Sequence, residues 1–269
     1  MKKYEIVTTS KRDGITKTAV YLYCVAEGFG ELDFDEIGVD DNRVYTIGYQ
    51  DLSAVVHDCP AVAYDSKDKE MVKKWIMTHQ RVVEQSLEKL GTVLPFSFDT
   101  IIQGEENISS QENVIRWLAS DYKKLKEKID KVRGKAEYGV QIFWDPIIIA
   151  DKIIQDVPEI RKIDDQMKSK SAGMAYLYEE KLKGLMKKEI EKRADDYFKE
   201  FYGRVRPEVD DIKIDKTKKT DNELQMLMNL SCLVVKEKVG GIGEVLDNVQ
   251  NKRGFSVRFT GPWPPYSFA

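Results

Sequence analysis

Two histidines limit the acid–base and metal chemistry this chain can perform. The most reactive-looking group is His57-Asp58-Cys59. In an extended strand neighbours point to opposite faces, so only His57 and Cys59 would share a site. A zinc site needs further ligands at suitable spacing, and a cysteine nucleophile needs a base oriented by a third group. The sequence supplies neither, and the cluster reads as the end of a structural strand. His79 falls on the Trp75, Val82, Val83 and Leu90 side of a helical pattern. A ring there packs and makes one satisfying hydrogen bond; a pH-sensing contact is the weaker alternative. Gly240-Gly241-Ile242-Gly243 lies between a strand-like and a helix-like run. It lacks the Lys-Ser/Thr of a P-loop and the full Gly-x-Gly-x-x-Gly spacing, so close helix–sheet packing is its expected purpose. No catalytic residue, metal ligand or cofactor-binding residue is expected.

Composition narrows the class further. With 269 residues the chain is long for one core, and two domains are expected. Its 43 basic and 46 acidic residues leave a net charge of -3, which argues against a dedicated nucleic-acid binder. No apolar run is long enough for a bilayer span and the opening Met1-Lys2-Lys3-Tyr4-Glu5 has no signal-peptide core, so no membrane partner and a cytoplasmic location are expected. Cys24 and Cys232 lie in apolar runs and Cys59 precedes Pro60. An odd count without a Cys-x-x-Cys pair reads as buried free thiols.

The elements that must position these groups follow from periodicity. After a polar opening with a turn or mobile arm at Lys11-Arg12-Asp13-Gly14, residues 19–25 form a β-branched and aromatic run, expected of a central strand covered on both faces. Residues 44–47 and 53–57 are further strands. Residues 67–90 carry a helical stripe closed by Gly91, and residues 93–102 are extended. Ser109 with Glu112 forms a capping box for a second helix ending before Gly134. Residues 137–144 alternate as a half-buried strand that Asp145-Pro146 stops. Residues 1–145 therefore read as one antiparallel sheet with helices on one face, an α+β layer of ferredoxin-like kind.

The second domain, residues 146–269, is expected to centre on a single long helix over about 164–202, on the order of 50 Å long and partly projecting or pairing as a coiled coil. Gly173 and Gly184 are its bending points. A charge-rich connection holds Ile212 and Ile214, followed by a strand over 224–235, a short helix over 239–249 and a last strand over 254–260.

The closing segment 261–269 has its own logic. Pro262, Pro264 and Pro265 force an extended path, and Trp263, Tyr266 and Phe268 supply large apolar surfaces with little rotamer entropy to lose. Burying each gains about 1.5–3 kcal/mol, so the three are expected to be docked near the domain junction and not displayed as a free polyproline ligand.

Gly261-Pro262-Trp263-Pro264-Pro265-Tyr266-Ser267-Phe268 resembles the ending of the GvpF/GvpL family of gas vesicle proteins. Tyr21-Leu22-Tyr23-Cys24-Val25, Asp51-Leu52-Ser53-Ala54-Val55-Val56, His79-Gln80-Arg81-Val82-Val83-Glu84 and Val93-Leu94-Pro95-Phe96-Ser97-Phe98-Asp99-Thr100 resemble further family segments in the same order, as do Ala175-Tyr176-Leu177 and Leu233-Val234-Val235. The family's Leu-Pro strand usually carries arginine and glycine where this chain has Ser97 and Asp99. The resemblance implies a modified ferredoxin-like N-terminal domain and a C-terminal α+β domain with a long coiled-coil helix. It marks His79, Leu94, Pro95, Phe96, Phe98, Trp263, Pro264, Pro265, Tyr266 and Phe268 as structural or partner-contact candidates. It implies an assembly protein of the gas vesicle, not an enzyme, with the shell protein and other accessory proteins as partners. A minor structural component of the gas-facing shell is the alternative, and a small-ligand enzyme the distant one.

Overall fold

A computed structural model describes residues 18–28, 32–168, 172–220 and 223–269. The turn read at Lys11-Arg12-Asp13-Gly14 lies outside them. The described chain divides into two compact units. One comprises Met1–Ala136 together with Trp263–Ala269, and the other is Glu137–Pro262.

The first unit is built on β1 (Thr18–Glu27), whose residues from Ala19 to Ala26 are all buried. It pairs antiparallel with β3 (Leu52–Pro60), Tyr21 opposite His57, with a bulge between Leu22 and Cys24. β2 (Tyr45–Tyr49) extends the sheet beyond β3, while β4 (Val93–Pro95) and β5 (Ile101–Gln103) pair with β1 on its other side. α1 (Lys69–Leu90) starts where the Asp68 carboxylate accepts the Glu70 N–H at 2.9 Å and stops at Gly91. Its Trp75, Val82 and Val83 pack with Ala19, Tyr21 and Tyr23. α2 (Ser110–Val132) begins with the expected cap, the Ser109 hydroxyl accepting the Glu112 N–H at 3.1 Å. It packs on β1 and β2. Its Gln111 amide donates to Asp58 (2.7 Å), the strand neighbour of His57 that points away from α1. The two helices therefore lie on opposite faces, which corrects the expectation of helices on one face. The continuous apolar run of β1 carried this information, because a strand buried on both sides needs a cover on each. Ionic contacts fix α2 at the far end of β1. Lys126 bonds Glu27 and Asp51, Arg133 bonds Glu27 at 2.5 Å, and the Tyr122 hydroxyl donates to Asp51 at 2.5 Å.

The second unit holds a four-stranded sheet of order β7 (Asp211–Ile214), β8 (Gln225–Val235), β6 (Lys135–Trp144) and β9 (Phe255–Trp263). β6, read as the closing strand of the first domain, has its neighbours in this second sheet. Tyr197, Phe201 and Phe255 form the aromatic centre of its core, with ring centroids 4.8 to 5.7 Å apart. Asp145-Pro146 does end β6, but it also starts a helix that the sequence reading passed over. α3 (Pro146–Asp156) has proline in its first turn, and the Asp145 carboxylate accepts the N–H groups of Ile147 (2.9 Å) and Ile148 (3.1 Å). The single helix expected over 164–202 is corrected as well. α4 (Pro158–Lys168) is separate and packs against α5 (Ala172–Val205), whose Arg193 reaches back to Asp156 of α3 at 3.2 Å. α6 (Val239–Gln250) contains the glycine run. A side-chain carbon on Gly241 would run into the Glu208 carboxylate, so glycine there permits the close approach of that side chain. Asp145→Ala removes the cap of α3 and is expected to cost about 1 kcal/mol of stability in chemical denaturation.

Candidate functional site

Tyr21 and Tyr23 stand two apart on β1 and so share a face. Both are fully buried, and a buried phenol needs a partner for its hydroxyl. The two histidines supply them. Phe96 O can only accept, so His79 donates to it from Nε2 (3.1 Å); its free Nδ1 then receives the Tyr21 hydroxyl (2.8 Å), which itself accepts the Asp99 N–H (3.0 Å). In parallel, the Tyr23 hydroxyl accepts the Val39 N–H (2.9 Å) and donates to His57 Nδ1 (2.8 Å). His57 Nε2 then donates to the half-buried Tyr64 hydroxyl (3.0 Å), the arrangement that leaves no buried proton unpaired. The rings interlock as well: Tyr21 stacks on His57 at 4.9 Å and Tyr23 on His79 at 5.3 Å.

Burial pushes both histidines down to about 4, so both are neutral at neutral pH, and it pushes the tyrosine hydroxyls up. Cys59 faces the same core, where burial raises its thiol to about 12, far from a reactive thiolate. Among the described residues no three His, Cys, Asp or Glu side chains gather as a metal-binding group. The polar atoms of the cluster are paired with one another and with Phe96 O, the Val39 N–H and the Asp99 N–H.

Asp99 closes this network in a revealing way. Its φ is 68°, the left-handed conformation that glycine favours. The aspartate holds the conformation and uses its carboxylate to accept the Tyr64 N–H at 2.9 Å. Ser97 is exposed.

Of the residues singled out from the sequence, His79, Phe96 and Phe98 come together here, with Leu94 and Pro95 buried beside them in β4. The closing segment joins them. Tyr266 lies over His79 with ring centroids 6.4 Å apart, and Lys131 of α2 sits 5.7 Å from the centre of the Phe268 ring. Trp263–Ala269 is thus a clip that meets α1 through Tyr266 and α2 through Phe268. Its own backbone closes in turns, Tyr266 N–H to Pro264 O (2.8 Å) and Phe268 N–H to Pro265 O (3.0 Å). Pro264, Pro265 and Phe268 are buried, Phe268 to 4 % exposure. Tyr266 keeps 36 % of its surface exposed while burial raises its hydroxyl pKa. Trp263 remains 41 % exposed, so the expectation that all three aromatics are buried fails for Trp263 and Tyr266 and is met by Phe268 alone. Tyr21, Tyr23, Tyr64 and Asp99 were not singled out as site residues. The readable signal was the pair of phenols at strand spacing inside an apolar run.

This architecture has solved counterparts among gas vesicle proteins. The crystal structure of GvpF from Anabaena superposes with a TM-score of 0.74, covering 93 % of this chain and 98 % of that chain at 19 % identity. GvpF from Microcystis aeruginosa gives 0.64 over the same shares. Gas vesicle protein L1 of Halobacterium salinarum is 28 % identical over 97 % of this chain and 94 % of its own length. Gas vesicle protein L of Haloferax mediterranei is 29 % identical over 88 % and 74 %. The profile of the family described as gas vesicle synthesis protein GvpL/GvpF matches residues 19–269, and the chain belongs to that family. Its role lies in gas vesicle formation. No helix among the described residues is long and apolar enough to cross a membrane.

Two measurements check the site. A histidine whose folded-state pKa is depressed stabilises the fold fully above its unfolded value of about 6.5 and loses that contribution as pH falls toward about 4. With two such residues, denaturation stability is expected to fall by several kcal/mol between pH 7 and pH 4.5, and His79→Gln to flatten the slope by about one proton. Phe268→Ala is expected to cost about 3 kcal/mol and the exposed Trp263→Ala about 0.5 kcal/mol, read by urea titration.

Proposed function

We propose that this protein is a cytoplasmic assembly factor that binds the hydrophobic shell protein of the gas vesicle and supports nucleation or growth of the shell, catalysing no reaction. The observation that carries this reading is the extent of the family match, residues 19–269, which takes in both units and the clip. Relatives named gas vesicle protein L are 28–29 % identical and those named F 22–25 %, which favours an L-type member.

The surface offers a place for an apolar partner. The outward side of α1 exposes Met77 to 60 %, among the exposed cations Lys73, Lys74 and Arg81, with Met71 and Ile76 exposed on its two flanks. Flexible methionines ringed by charge suit a partner segment that is itself amphipathic. α5 supplies a second contact, a coiled-coil surface for other accessory proteins, with Tyr176 and Leu177 exposed on it.

Co-purification with the shell protein, from cells making both, is expected to succeed and to drop at least tenfold for Met77→Asp with the fold retained. Failure to bind, together with normal vesicles in a deletion strain, would overturn the reading. Persistence of the chain on urea-washed vesicles would instead mark it as a shell component.

A further inference from the structure

The clip is a ligand seated in a receptor, and its chemistry does not require both to belong to one molecule. Trp263–Ala269 is shaped by two internal backbone turns and by prolines, so it brings its bound form with it and loses little freedom on docking. Its anchors are side chains: Phe268 under Lys131, Tyr266 over His79, and Pro264 and Pro265 buried. The aromatic core of the first unit is assembled from the strands, α1 and their loops, and no residue of 263–269 belongs to it. On the other side of the link, Gly261 is fixed in β9 with φ 121°, where a side-chain carbon would collide with Glu137 O and the Tyr138 ring. The segment that changes hands begins just after that point.

We infer that the clip site also accepts the clip of a second copy, so that two molecules exchange segments 263–269. Exchange preserves every anchor contact, and the covalent link alone favours the internal arrangement. Such a link acts as an effective concentration of about millimolar. Copies crowded side by side reach that range, and exchange then joins them into closed pairs or into open chains.

The test uses two chains and one peptide. A chain ending at Pro262 presents an unfilled clip site, and a fluorescein-labelled peptide of sequence Trp-Pro-Pro-Tyr-Ser-Phe-Ala is titrated against it. Saturable binding is expected, with the Phe→Ala peptide at least about tenfold weaker and the intact chain binding neither. The shortened chain is then mixed with the intact chain at rising concentration and weighed by native mass spectrometry. A mixed pair is expected that grows with concentration, disappears with Phe268→Ala in the intact partner and is dispersed by the free peptide. If the shortened chain does not fold, the full chain carrying Tyr266→Ala and Phe268→Ala replaces it as receptor. No peptide binding, or peptide binding without a mixed pair up to about millimolar chain, overturns the inference.

Discussion

The structure turns on a strand that must satisfy two tyrosine hydroxyls in a fully buried interior. β1 is buried on both faces, and Tyr21 and Tyr23 put polar atoms in the middle of one of them. An unpaired buried hydroxyl costs about twice what a made hydrogen bond returns, so the surroundings are dictated by the need to pair both. His57 has to come from the neighbouring strand and His79 from the covering helix, each as a neutral ring with one acceptor and one donor nitrogen. The donor sides in turn demand Phe96 O and Tyr64. One strand thereby fixes the register of β3, the rotation of α1, and the loop carrying Asp99.

Much of this was legible in advance, for reasons that differ by residue. Capping groups announce themselves locally, and Ser109 with Glu112 behaves as its spacing says. The bland reading of His79 as a packed, hydrogen-bonded ring needed only the helical period. What escaped was information held in tertiary pairing. β6 alternates like any half-buried strand, and nothing local says which sheet it joins. The break between α4 and α5 escaped because helical periodicity continues through sequence that folds back on itself. The missed α3 is different: Asp145-Pro146 was read as a stop when the same pair is a start signal.

Position 99 lies in the left-handed region, which glycine enters without steric cost. Aspartate is among the few residues with a side chain that visits this region readily, and here its carboxylate contributes a hydrogen bond that glycine lacks. Asp99 thus meets the backbone's demand and ties its loop to Tyr64.

The division of the chain has a consequence in time. Residues 1–136 and 263–269 form one unit, so the whole of the other unit is spelled out between two parts of the first. A ribosome delivers the sheet, α1 and α2 early, yet must translate residues 137–262 before the clip exists. Until then the surfaces of α1 and α2 that meet Tyr266 and Phe268 stand open on the growing chain, in the setting where exposed apolar surface promotes association.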